Sequence, residues 1–307
     1  MAAIAANFPD ALDARMADVF DGEYKQLPDM ISKFFGVKGP GDSPQRQDYR
    51  TSSIGAFGDV PPFNGTVTYD DVAEGYDGII SPLEYASGFQ IQRRLFDWDQ
   101  TGIIEAKPSS LARAFARTRQ KHAAQFFNNM TSIDTTWNSF TEGVALVSNS
   151  HTTRATGVST ATGFDNLVTT ALSTVALVAA RIQFRTFRDD RGNRMSVSPD
   201  LLLIPPDLCQ VAYEIDESLG VPEVATNAAN YNRKRYQIVE WEYITDTNDW
   251  ALIDSSMMKD ANIWYQELSY EFAMVEDFDT LVGKWRLYAR HGQGHRDWRW
   301  ILGASVS

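Results

Sequence analysis

The chain is predicted to be an α+β protein on three observations. Residues 109–131 carry a helical periodicity with a basic outer face. Residues 51–92 form an acidic, turn-rich and aromatic run that reads as a ribbon. A mixed block follows, in which an apolar run is halted by the double proline Pro205-Pro206.

Taken in order, residues 9–20 space Leu12, Met16, Val19 and Phe20 at helical intervals, and residues 28–35 do the same with Ile31, Phe34 and Phe35. Both are expected to be short helices. The stretch Gly36–Arg50, GVKGPGDSPQRQDYR, is too rich in glycine, proline and charge to bury much. Residues 1–50 therefore read as an arm on a flexible tether. Residues 51–92 contain no Lys, Arg or His, and their charges are Asp59, Asp70, Asp71, Glu74, Asp77 and Glu84. Within the run, Gly65–Tyr69 and Ser87–Arg93 alternate as strands, which predicts a two-stranded ribbon with a glycine-rich tip. A lone ribbon is marginal in water, so it needs a surface to lie against.

The sign of the charge then reverses. Leu111, Phe115, Thr118, His122, Phe126 and Met130 recur at three and four residues after the start signal Pro108-Ser109-Ser110, and Arg113, Arg117, Arg119 and Lys121 make the face opposite basic. Residues 134–163 read as loop with a short strand or turn at Gly143–Val147. Asp165 is expected to cap an apolar helix through Phe184, and Asp189–Asn193 is a turn. A buried strand over 198–204 ends at the prolines, and a helix to Glu217 follows. Strands at 236–241 and 250–254 and a helical turn at 256–260 complete a mixed α/β block, 134–260. The tail is predicted as a hairpin of 281–290 and 295–302, turning at His291-Gly-Gln-Gly, with Lys284, Arg286 and Arg290 on its outer face.

Composition narrows the function. At 43% hydrophobic residues the chain is able to bury a large core, and its net charge of -12 argues against a protein whose main task is wrapping nucleic acid. Cys209 is the only cysteine, so neither an intrachain disulfide nor a multi-cysteine zinc site is available. The beginning of the chain, with Asp10 and Asp13 and no basic leader, does not read as a secretory signal, and no apolar stretch is long enough to span a bilayer.

Chemistry is sparse. His291 and His295 are four apart, but glycines lie between them and no third ligand is evident, so they read as turn histidines rather than a metal pair. Ser148, His151 and Asp165 make a triad only on paper, because no Gly-x-Ser-x-Gly elbow is present. No dinucleotide or phosphate loop occurs and no cofactor is expected. The carboxylates Asp70, Asp71 and Glu74 lack the calcium-loop pattern and read as a solvated acidic tip or one that meets a basic neighbour. Trp285, Tyr288, Trp298 and Trp300 among basic residues suggest a nucleic-acid platform, but a sheet packing its tryptophans inward is the better reading.

The order of arm, acidic ribbon, basic helix, α/β block and basic tail resembles the major capsid proteins of tailed phages, with the Hong Kong 97-like fold. GVALVSNSH at 143–151 is similar to a stretch of Mu-like head subunits, and Ser198–Leu208 is similar to the strand-Pro-Pro-helix step of their axial domain, where Trp250–Asp254 also fits. The resemblance implies an N-terminal arm (1–50), an extended β-hairpin loop (51–92), a peripheral domain with a long spine helix (93–133), an axial α/β domain (134–260) and a return to the peripheral domain (261–307). It implies a subunit that assembles in the host cytoplasm into hexamers and pentamers of an icosahedral head around double-stranded DNA, with portal, scaffolding and decoration proteins as partners and no membrane. Some relatives weld neighbours through a lysine in the extended loop; residues 51–92 have none, which implies non-covalent clasping. Some relatives also carry a long cleaved scaffolding segment before this loop; with about 50 residues there, the resemblance implies a separate scaffolding protein, or none. The expected interface sets Asp70, Asp71, Glu74 and Asp77 of one subunit against Arg113, Arg117, Lys121, Lys284 and Arg286 of another. The rival readings are a binding or adhesion module of a virion or cell surface, and a hydrolase using His151.

Overall fold

The computed structural model describes residues 8–39, 48–69, 74–98, 104, 106–222, 228–277 and 279–306. Helix α1 (Phe8–Tyr24) is followed by the short α2 (Ile31–Phe34) and by β1 (Gly36–Lys38). Strands β2 (Tyr49–Ile54), β3 (Glu74–Ile80) and β4 (Leu83–Gln92) lead to α3 (Arg93–Asp97) and the long α4 (Ala106–Asn128). Then come β5 (Asn138–Phe140), β6 (Leu167–Val168), α5 (Thr174–Phe184), β7 (Leu201–Ile204), α6 (Cys209–Glu217), β8 (Gln237–Glu240), β9 (Trp250–Ile253) and α7 (Ser255–Ala261). Two long strands, β10 (Asn262–Asp277) and β11 (Val282–His295), and the short β12 (Ile301–Ala304) finish the chain.

The strands form three sheets, ordered β1-β10-β11-β4, β6-β12-β9-β7-β8 and β2-β3-β5. The five-stranded sheet holds the main core. Its central strands β7, β9 and β12 are buried at every position, and Phe34, Phe127, Trp241, Trp250 and Trp300 pack around them. Helix α4, about 35 Å long at 1.5 Å per residue, joins two cores. Its first half packs Ala112 and Phe115 with Phe20, Leu287 and Ala289, and its second half sends Ala123, Phe126 and Phe127 into the main core.

The basic helix, the strand-Pro-Pro-helix step and the inward tryptophans stand where the sequence puts them. Trp285, Trp298 and Trp300 are all buried. Five expectations fail. The arm is packed rather than tethered: Met16 and Phe20 are fully buried, β1 runs parallel to β10, and Tyr49 is stacked on Tyr265. The ribbon is β2 with β3, and residues 65–69 are not a strand. Ser87–Arg93 falls mostly in β4, whose partner is β11. Asp165 caps nothing: α5 starts nine residues later, and Ser173 is its cap, accepting from the Ala176 amide at 3.1 Å. Residues 166–168 are instead drawn alongside β12, where the Asn166 side chain bonds the carbonyls of Leu146 and Ile301.

The fifth correction concerns the tail. His291-Gly-Gln-Gly-His295 is no turn but the last five residues of β11, paired with β10 from Asn262 to Gln266. The glycines serve close approach. A Cβ at Gly292 would lie 2.8 Å from Pro82 Cα, and one at Gly294 would lie 2.7 Å from Ile80 Cγ1, because the root of the ribbon presses directly on this strand. Residues 295–302 do not pair with 281–290; β12 crosses instead to the five-stranded sheet beside β9.

Gly292 has no positive φ, so the space around it decides the cost of a side chain. Gly292→Ala should lower stability by about 1–3 kcal/mol through overpacking, read as a shifted urea midpoint at unchanged slope; an unshifted midpoint would show that the contact with Pro82 yields to a methyl group.

Candidate assembly surface

The ribbon has a fixed root and a bare tip. At the root, Tyr49 stacks on Tyr265 with ring centroids 4.0 Å apart and donates its hydroxyl to Glu267 Oε1 at 2.8 Å. Glu267, itself buried, also receives Arg290 Nη1 at 2.9 Å, so its charge is compensated. Ile80 is fully buried with Ile263. Further out, Arg154 donates to the Gly75 carbonyl at 3.1 Å and lies over the ring of Tyr76, whose hydroxyl meets Thr152 Oγ1 at 2.6 Å. Arg191 Nε reaches the Ala56 carbonyl at 2.9 Å.

Beyond that point large apolar side chains face solvent. Ile54 is 80% exposed, Val60 94% and Tyr69 90%, and Phe57, Phe63 and Val67 are exposed with them. Single exposed apolar residues are ordinary, but a contiguous set on one projecting segment marks an interaction surface.

Of the four acidic residues expected at the interface, Asp70 and Asp71 lie outside the described residues. Glu74 is exposed at the start of β3. Asp77 is half-buried, its backbone paired with Thr141, and its Oδ1 is buried with no hydrogen-bond partner among the described residues. On the basic side, Arg113, Arg117 and Lys121 are exposed at successive four-residue steps of α4. Arg113 is held by Glu23 at 2.6 Å, Lys284 by Asp277 at 3.2 Å and Arg286 by Glu271 at 3.1 Å. Arg117 and Lys121 are in no ion pair among the described residues. These two therefore carry the uncompensated charge of the stripe.

Near the far end of the β10–β11 hairpin the structure exposes large apolar residues that the sequence does not single out. Val275 and Leu281 are exposed there, and the Arg93 amide bonds the Leu281 carbonyl, bringing the exposed Leu95 and Trp98 of the α3 region close by. Arg94 lies over the Trp98 ring. Scattered over residues 95–98, 275 and 281, these apolar side chains carry no pattern in the sequence.

The histidines are buried structural groups, not turn residues. His291 Nε2 faces His122 Nδ1 at 3.0 Å, and its ring stacks on Tyr85 and Trp264. His295 meets Asn138 Nδ2 at 3.2 Å. His151 lies flat on Trp298, with Nδ1 3.1 Å from Glu142 and Nε2 against the Leu146 carbonyl at 3.3 Å. Ser148 Oγ is engaged with Ser150 instead, so Ser148, His151 and Asp165 form no nucleophile–base chain. No group of three or more potential metal ligands occurs among the described residues, nor is any helix among them long and apolar enough to cross a membrane.

With the geometry in place, the comparisons are specific. Residues 77–303 match the model of a family described as phage capsid protein. The fold is similar to the capsid of a native GTA particle (TM-score 0.56, 12% identity, covering 92% of this chain and 91% of that one). It is also similar to the procapsid of bacteriophage JBD30 (TM-score 0.55, 14% identity, 98% and 75%) and to the mature capsid of bacteriophage PhiM1 (TM-score 0.56, 12% identity, 92% and 88%). No curated protein matches the chain.

The buried histidines give a pH prediction. Burial, with His122 and Arg119 nearby, pushes His291 down to about 2; burial pushes His295 down to about 4 and lowers His122. Unfolded, each takes up a proton below about 6.5, whereas the folded chain resists until lower pH. Their contribution is complete above that value and is lost as pH falls, at up to about 1.4 kcal/mol per unit per histidine. The urea midpoint should therefore decline from about pH 6.5 to about pH 5, and a His291→Gln, His295→Gln variant should decline less steeply. Equal slopes in the two proteins would rule the histidines out as the cause.

Proposed function

Because this chain belongs to the phage capsid protein family and shares the fold of phage capsid subunits, we propose that it is a major capsid protein of an icosahedral head and works by non-covalent assembly into hexamers and pentamers, each copy laying its ribbon over the next. The observation behind this is the contrast within the ribbon: its root is fixed to its own chain, whereas the apolar side chains of residues 54–69 are largely uncovered by the described residues. The proposed dock combines the Arg117 and Lys121 stripe of α4 with the patch of Leu95, Trp98, Val275 and Leu281 on a neighbouring copy. Asp59, Asp70, Asp71 and Glu74 face the basic stripe in this arrangement, with Asp77 nearer the root. Arg113, Lys284 and Arg286 lie alongside, already partly neutralised by their own carboxylates.

The two kinds of contact have different weights. Burial of apolar surface contributes about 25 cal/mol per Å², so covering several large side chains dominates. Exposed ion pairs contribute about 0–1 kcal/mol each and serve register and choice of partner. In this reading residues 1–50 act as the arm, the β2–β3 hairpin as the extended loop, 93–133 and 261–307 as the peripheral domain, and 134–260 as the axial domain. Packaged double-stranded DNA, a separate scaffolding protein, a portal and a decoration protein are its further partners, and the host cytoplasm is its site of assembly.

A Phe57→Ser, Phe63→Ser variant should fold with a nearly unchanged melting temperature, because both side chains are largely exposed. It should yield subunits or small oligomers where the parent gives shells in negative-stain images. Shells at parental yield would overturn the docking.

A further inference from the structure

We propose a second head-to-tail contact, in which an arginine-lined groove beside α5 of one copy receives the acidic and apolar outer face of α6 of the next. It rests on the assembly reading above and adds a contact separate from the ribbon.

Helix α5 has already used its inner face. Ala176, Leu177, Ala180 and Phe184 are buried, yet Val175 is 71% exposed and Ile182 63%. Ile182 and Val178 form, with Tyr231, the apolar part of an open groove of about 640 Å³. Arg181, Arg185, Arg194 and Arg235 supply the rest of its lining, and no carboxylate contributes. None of the four arginines is in an ion pair among the described residues. Arg235 lies over the Tyr231 ring at 3.8 Å, which holds its charge at the groove. In a chain of net charge -12 such an uncompensated basic groove is a local exception.

The α6 helix carries a complementary face, on which Glu217 has exposed Lys234 at 3.9 Å and Glu214 accepts from Gln210 at 2.8 Å. Ala212 and Ile215 face inward, while Val211 and Tyr213 are exposed beside Glu214 and Glu217, with exposed Leu219 just beyond the helix. The 230–235 turn ties the two helices together: Asn232 Nδ2 bonds the Thr174 carbonyl at 3.0 Å, and the Lys234 amide bonds the Asp216 carbonyl at 3.0 Å. Both patches are thus fixed on one rigid unit.

Charge decides how they pair. A two-fold contact of groove with groove would crowd eight arginines together, and α6 with α6 would oppose carboxylates. Only groove with α6 matches charge to charge and apolar to apolar. That is a heterologous contact, the kind that generates closed rings of identical copies. Nucleic acid would match the arginines but leave Val175, Ile182 and the outer face of α6 uncovered.

The experiment uses the full chain in three forms: Arg181→Glu with Arg185→Glu, Glu214→Lys with Glu217→Lys, and all four together, each checked for a parental melting curve. Each double variant should lower the yield of rings and shells about tenfold or more, and the quadruple variant should recover it. Mixing the two double variants should restore six-membered rings but not five-membered ones, because copies must alternate around the ring. Parental yields for both double variants would overturn this contact alone, as would folded variants that rescue neither in the quadruple nor in the mixture. Normal shells with less nuclease-protected DNA in the arginine variant would assign the groove to nucleic acid. Failure of the parent chain to assemble at all would remove the assembly reading and this contact together.

Discussion

The antiparallel ladder of β10 and β11, 16 residues against 14, is the element on which the other parts depend. One edge accepts β1 and the other β4, so the arm and the strand that leaves the ribbon are fixed by the same backbone. One face receives α1 and the first half of α4 through Phe20, Phe115, Leu287 and Ala289. At its other end the ladder presses against the ribbon root so closely that only glycine fits at 292 and 294. The ladder also sends Trp264 into the main core, and without it the ribbon would have no fixed direction.

Direction matters more to such a segment than strength. An exposed apolar tip on a swivelling stalk would pay an ordering cost at each encounter and find wrong partners. Here the stack of Tyr49 on Tyr265, the compensated Glu267 and the Arg154 and Arg191 bonds settle the orientation before any neighbour arrives. Several of these contacts are buried polar groups, which are demanding to satisfy and correspondingly selective for one geometry.

The sequence was most legible where one element's pattern reflects one environment. The basic stripe of α4, the proline-bounded strand β7 and the alternation of Trp285, Leu287 and Ala289 in β11 all follow local periodicity. It was least legible where a residue answers to a distant segment. Gly292 and Gly294 have the signature of a turn, and their reason lies at Pro82 and Ile80. Strand β10 has no clean alternation, because its first residues are buried on both sides and its register shifts between Gln266 and Leu268 and again before Glu271. Charge marks the acidic ribbon but not its pairing, since β2 begins before the acidic run and β4 belongs to another sheet. The α5 groove was invisible because its arginines come from separated turns.

The position of β12 has a consequence for timing. It lies between β6 and β9 inside the five-stranded sheet and is wholly buried, although both neighbours come from distant parts of the sequence. Until residues 301–304 emerge from the ribosome, β9 lacks a neighbour, the Asn166 side chain lacks the Ile301 carbonyl, and the core around Trp300 is open. Such long-range pairing closes slowly and late. Closure of the main core is thereby tied to the arrival of residues 301–304, and a chain halted before them would carry an open edge on β9.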